Sequence, residues 1–239
     1  MKYIPRPDQN GLLGALAPDI KQRLFPLLRP VELGLGEVIY EAGEHIVDVY
    51  FPVDCIISKL YVTAEGESAE ICVVGHEGMT GTVVMLGGDS TLRRAVVQSA
   101  GTAYRLSASE LKHEFDQDPN LRMLMLRYMQ ALMIQISQTA VCNRHHSIQQ
   151  QLCRWLLLSL DRIPDRELCM TQELIANMLG VRREGVTAAA RILKRQGVIQ
   201  YSRGHITVLD RAKLEALCCE CYAVVKAEIE RLYHPPEPS

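Results

Sequence analysis

Between residues 31 and 106 the apolar positions come in short runs cut by turn residues. Val31, Leu33 and Leu35 alternate before Gly36; Val38, Ile39 and Tyr40 precede Gly43; Val47, Val49 and Phe51 run into Pro52. Tyr61 and Val62 lead to a Glu65-Gly66-Glu67 turn, and Ile71 with Val73, Val83 with Met85, and Ala95 to Val97 follow. Strands this short, recurring at roughly 8 to 12 residues, predict a β-sandwich, barrel or jelly roll. After Asp118-Pro119 the pattern switches, with no Gly or Pro until Pro164. Leu121, Met125, Tyr128 and Leu132 form one helical stripe, and Leu126, Met129, Met133, Ile136 and Ala140 form a second beside it. One stripe suffices to dock a helix on its own roll, so the second predicts a partner helix from another copy of the chain. A further helix is expected over about 148–160, with Ile148, Leu152, Trp155 and Leu156 on one face, ending before Pro164.

The stretch TQELIANMLGVRREGVTAAARIL reads as helix, tight turn, helix. Thr171 suits the cap of the first helix and Gly180 the left-handed residue that ends it, and a second helix then runs from about 182 to 196. Ala176, Gly180 and Val186 stand where two steeply crossing helices need a small contact, a reversal and an apolar lock. Projected at about 100° per residue, Val186, Ala189, Ala190 and Leu193 face inward, while Glu184, Ala188, Arg191 and Arg195 face outward. Gly197-Val198-Ile199 leads into QYSRGHITVLD, a hairpin with Arg203 and His205 at its tip.

Charge is nearly balanced overall, at net −2, but its distribution is not even. Residues 148–239 hold 13 Lys and Arg against 11 Asp and Glu, residues 1–147 hold 13 against 17, and from Arg182 to Arg203 six bases meet one acid. Arginine forks at a helix start can bond phosphate or guanine, small outward residues allow close approach to a groove floor, and a carboxylate can accept from cytosine N4. Phosphates would repel Glu184, so its place in this stripe predicts base readout. Arg182, Arg183, Glu184, Thr187 and Arg191 on the helix, with Arg203 and His205 on the hairpin, are the expected contacts to double-stranded DNA.

These residues resemble the Crp/Fnr superfamily of bacterial transcription regulators over nearly the whole chain. GEVIYEAGE, VYFP and GHEGMTG carry the resemblance in the first half, and the helix-turn-helix with its hairpin carries it in the second. The resemblance implies an α+β fold: a cyclic-nucleotide-binding-like β-roll over 1–118, a dimerisation helix over 119–146, a winged helix-turn-helix over 147–234 and a disordered tail over 235–239. Members carry an Arg-Glu pair reading G and C at the start of the recognition helix, matched here by Arg183 and Glu184. Arg182 stands where a serine often caps that helix, and Ala188 where some members place a further arginine. The resemblance also implies a homodimer with RNA polymerase as a partner, and no enzymatic activity.

In cyclic-nucleotide-binding members a Gly-Glu pair holds the ribose and an Arg-Ser pair the phosphate. Gly81-Thr82 and Arg93-Arg94 stand at those places, so the ribose acceptor is lost and cyclic AMP is disfavoured, although Arg93 or Arg94 could still draw an unidentified anionic effector. No cysteine precedes Cys55, which argues against an N-terminal iron-sulfur cluster. Cys218 and Cys221, three apart on an expected helix, share a face and could bind metal or oxidise with Cys219 nearby; His76 and His113 could hold haem, and His145 with His146 could bind metal. Each is expected to be ordinary packing or a solvated side chain, so neither cofactor nor metal is predicted. With no apolar leader at the start and no span-length apolar helix, a cytoplasmic protein without a membrane partner is expected. Two rival readings are a ligand-, redox- or metal-sensing module working through the roll or Cys218/Cys221, and an enzyme. The second lacks any phosphate loop or activated-nucleophile motif.

Overall fold

The computed structural model describes residues 4–163, 167–202 and 204–233. Two short helices, α1 (Gly11–Gly14) and α2 (Pro18–Leu24), precede seven strands: β1 (Arg29–Leu33), β2 (Val38–Tyr40), β3 (Asp48–Pro52), β4 (Ile56–Val62), β5 (Ser68–Val74), β6 (Arg94–Ser99) and β7 (Gly101–Ser107). They pair antiparallel in two sheets, ordered β1-β7-β3 and β2-β6-β4-β5. The strand expected at Val83 and Met85 is instead a turn of 3-10 helix, Thr82–Leu86. Left-handed glycines at 81 and 87 close that segment at both ends, leaving too little extended chain to pair.

Helix α3 (Ala108–Gln117) leads into α4 (Pro119–His145). The Asp118 side chain caps α4 by accepting from the amides of Asn120 and Leu121 at 2.8 and 3.0 Å. Its first stripe, Leu121, Met125, Tyr128 and Leu132, is buried on the roll. Tyr128 Oη donates to the Met79 carbonyl at 2.7 Å and accepts from the Met79 amide at 2.9 Å. Gly78 permits this approach, since a Cβ there would stand 2.3 Å from the Tyr128 hydroxyl. The second stripe divides. Met129 is buried and Ile136 half-buried, whereas Leu126, Met133 and Ala140 stay exposed. A 3.6-residue helix rotates a row of mixed three and four spacings partly under its own roll.

Past His146, α5 (Ile148–Leu160), β8 (Glu167–Cys169), α6 (Gln172–Leu179), α7 (Arg183–Arg195), β9 (Ile199–Ser202), β10 (His205–Val208), α8 (Arg211–Ala216) and α9 (Cys221–Tyr233) follow. The hairpin gains a third strand in β8, giving the order β8-β10-β9. At three residues β8 is too short for its alternation to be read. A second core gathers Trp155 and Leu156 of α5 with Ile175, Val186, Leu193 and Ile206, and Ile56, Leu60 and Val73 of the roll join it. Polar links cross the same contact. Arg162 Nε donates to Glu77 Oε1 at 2.8 Å with both side chains buried, and Gln98 Nε2 donates to Ser159 Oγ at 3.0 Å. Helix α9 returns along α4, placing Leu232 in the core of the roll and donating from Tyr233 Oη to the Glu77 carbonyl at 2.5 Å. Among the described residues no helix is long and apolar enough to cross a membrane.

Candidate nucleic-acid interface and effector cleft

The helix-turn-helix is set by local chemistry. Thr171 Oγ1 accepts from the Leu174 amide at 3.2 Å and starts α6; Gly180, at φ +64°, ends it. Ala176 and Val186 are buried at the crossing. On α7 the projected division holds at every position: Val186, Ala189, Ala190 and Leu193 are buried, and Glu184, Ala188, Arg191 and Arg195 are exposed. Gly185 has a different role from the outward small residues. A Cβ at 185 would lie 2.5 Å from Ile148 Cδ1, so this glycine lets α7 close on α5.

Arg183, Glu184, Thr187, Ala188 and Arg191 line one shallow surface depression. Arg182 occupies the cap position of α7 without a side-chain capping bond and lines a second depression between the turn and the β4–β5 hairpin. Thr187 Oγ1 lies 2.6 Å from Gln172 Oε1 and 3.0 Å from the Arg183 carbonyl oxygen, so its hydroxyl also ties α7 to α6. His205 is exposed at the start of β10, but its Nδ1 lies 2.8 Å from Glu167 Oε1 and 3.3 Å from Cys169 Sγ. Arg203 lies outside the described residues. An ordered row of solvated arginines flanking one exposed carboxylate can bond phosphate oxygens and base edges together.

A cleft of about 440 Å³ opens between the roll and α4, lined by Gly81, Thr82 and Arg93 together with Tyr40, Lys59 and Ile136. Arg94 is not among its lining residues and pairs instead with Glu41 at 3.2 Å. Lys59 was not foreseen. It is 7% exposed, and among the described residues no carboxylate pairs with it. Burial lowers its pKa, Cys72 opposes that shift and Arg93 adds to it. A lysine inside the apolar run IISKLYV was the available signal, masked by the usual surface placement of lysine.

The expected placement of Cys218 and Cys221 on one helical face fails. Cys218 and Cys219 lie between α8 and α9, and Cys221 begins α9. Cys219 and Cys221 instead meet Cys142 and His146 from the end of α4, a convergence invisible in sequence because 77 positions separate Cys142 from Cys219.

Residues 150–217 match the Crp-like helix-turn-helix domain family. No curated protein sequence matches the chain. Among solved structures, FixK2 from Bradyrhizobium japonicum is 17% identical, with a TM-score of 0.68 over 80% of this chain and 98% of that one. A CRP-family transcriptional regulator from Thermus thermophilus is 19% identical, with a TM-score of 0.65 over 78% and 95%. The c-di-GMP responsive global regulator CLP of Xanthomonas campestris is 11% identical, with a TM-score of 0.65 over 81% and 100%. Residues 150–217 thus carry a helix-turn-helix of the Crp type by sequence, and about four-fifths of the chain shares the fold of these solved regulators.

Proposed function

We propose that this regulator binds a two-fold DNA site as a homodimer, with Arg183 and Glu184 reading base edges and Arg182, Arg191 and Arg203 holding phosphates. The observation that carries the reading is the clean division of α7, whose buried apolar face leaves Arg183, Glu184, Thr187, Ala188 and Arg191 on one open surface. A two-fold dimer presents two such helices to successive major-groove faces. Support for dimerisation is the row Met123, Leu126 and Met133 on α4, which are 50%, 44% and 61% exposed. Apolar side chains in a line on an amphipathic helix gain by meeting their copies across a two-fold axis. RNA polymerase is the further partner of such a regulator, and the cytoplasm its place of action.

Selection of bound sequences from randomised DNA tests the reading. The wild type should recover a palindrome, and Glu184→Ala should lose preference at one position in each half-site, a discrimination of about 1–3 kcal/mol. Unchanged preference after Glu184→Ala would remove the base-reading role. Met133→Glu should shift the protein toward monomer in sedimentation, and an unaltered dimer would place the interface elsewhere.

The effector, on this reading, is an anion with an apolar body. Lys59 and Arg93 supply positive charge in a cleft whose other walls are largely aliphatic and aromatic. Ile136 of α4 shares that cleft, so an occupant would touch the helix assigned to the dimer. A thermal-shift panel of phosphate- and carboxylate-bearing metabolites should find stabilising compounds whose effect disappears in Lys59→Met.

A further inference from the structure

We propose that Cys142, His146, Cys219 and Cys221 form a structural zinc site that fastens the C-terminal helix to the end of α4. Their ligand atoms all lie within 4.8 Å of one another, and the three cysteines are at most 5% exposed. Cys142 Sγ stands 3.6 Å from Cys219 Sγ, and Cys221 Sγ stands 3.5 Å from His146 Nδ1. A tetrahedral zinc with bonds of about 2.3 Å to sulfur and 2.0–2.1 Å to nitrogen holds its ligand atoms roughly 3.5 to 3.8 Å apart, so both separations suit one ion. A cluster of several irons would need its ligands spread wider.

Three further features belong to a built site. His146 Nε2 lies 3.3 Å from Glu220 Oε1, so a carboxylate orients the ring and leaves Nδ1 for the metal, the outer partner expected of a zinc-bound histidine. The ring is also fixed from behind. His146 ends α4 in an extended conformation, with its amide donating to the Cys142 carbonyl at 3.0 Å and its carbonyl accepting from Gln151 Nε2 at 2.9 Å. Charge is the third feature. Three thiolates and a neutral imidazole around Zn²⁺ leave one net negative charge, and the three thiol protons go to solvent on binding. Arg154 is 4% exposed, donates from Nη1 to Oγ1 of Thr139, three residues before Cys142, at 3.1 Å, and keeps its Nε without a hydrogen-bond partner. That buried cation is placed to balance the complex. Cys218 packs beside the cluster but is not among the four converging residues.

The location assigns the consequence. Cys142 and His146 end the long helix just before α5, whereas Cys219 and Cys221 follow the helix-turn-helix and open α9. One ion here crosslinks the joint between the roll and the DNA-binding unit to the segment that runs back along α4.

The test uses the full-length chain, purified under reducing conditions. Elemental analysis should find about one zinc per chain, and Co²⁺ put in its place should give thiolate-to-metal charge-transfer and tetrahedral ligand-field bands. Cys142→Ser and Cys221→Ser should lose the metal, while Cys218→Ser keeps it. Removing zinc from the wild type with a chelator should lower Tm and raise hydrogen exchange in α9, readouts that need no variant to fold. Wild-type protein that takes up neither Zn²⁺ nor Co²⁺, a Cys142–Cys219 disulfide in the reduced preparation, an iron-sulfur chromophore, or zinc retained by Cys142→Ser would each overturn the assignment.

Discussion

The charges of α7 and those buried in the roll and at its contact with α5 face opposite physical situations. Arg182, Arg183 and Arg191 are exposed, so water stabilises them. Lys59, Glu70, Arg154 and Arg162 are each 8% exposed or less, so their energies depend on the few groups beside them. Glu77 answers Arg162 directly. Lys59 and Glu70 have no such ion pair among the described residues. Solvated charge costs the fold little and serves binding, whereas buried charge reports on protonation and on ligands.

Glu70 should break the comparison most visibly. Its Oε2 lies 2.5 Å from Ser58 Oγ, and Ser58 Oγ lies 2.7 Å from Gln98 Oε1. Ser58 Oγ has one proton for these two acceptor oxygens, so a proton on Glu70 would complete the pair of bonds. Burial pushes its pKa up to about 7, against the partial opposition of Ser58, Arg154, Arg162 and Trp155. An unfolded glutamate releases its proton near 4.5. Between those values the folded chain holds more protons, so this group's contribution to stability is full below about 4.5 and falls until about 7. Glu70→Gln keeps a donor to Ser58 and should flatten that slope, gaining about 2–3 kcal/mol at pH 8 in denaturant titrations. An unchanged slope would place the titration elsewhere.

Lys59→Met should have an effect of intermediate size. Replacing an unpaired buried amine by an apolar chain of similar length is expected to raise stability by about 1–2 kcal/mol while abolishing anion-induced stabilisation. Loss of stability instead would mean that the amine has a structural partner. Arg191→Ala should have the smallest effect. Folding stability should move by no more than about 0.5 kcal/mol, DNA affinity should fall by a similar amount on every sequence, and the salt slope should drop by roughly 0.9. A change confined to one base position would instead make Arg191 a base reader.

The recognition helix was legible because its information is local. Val186, Ala189, Ala190 and Leu193 repeat at helical spacing, and Thr171 and Gly180 punctuate it, so direction follows from periodicity alone. Strands β1 to β6 and the β9–β10 hairpin read well for the same reason, whereas β7 and the three-residue β8 went unread and flanking left-handed glycines overrode the short apolar run at Val83 and Met85. Gly185 showed the limit of that logic. Its smallness serves Ile148 rather than a groove, and no local pattern identifies which neighbour a glycine admits.

By itself the sequence determined the switch from short strands to helices, the helix-turn-helix with its hairpin and the outward face of α7, all properties of residues close in the chain. Only the tertiary structure decided that Lys59 lines the cleft while Arg94 pairs with Glu41, that Glu70 is buried at the domain contact, and that Cys142 and His146 meet Cys219 and Cys221. Desolvation and ligand geometry depend on which distant segments pack together, and chain order does not encode that packing in any pattern of neighbouring residues.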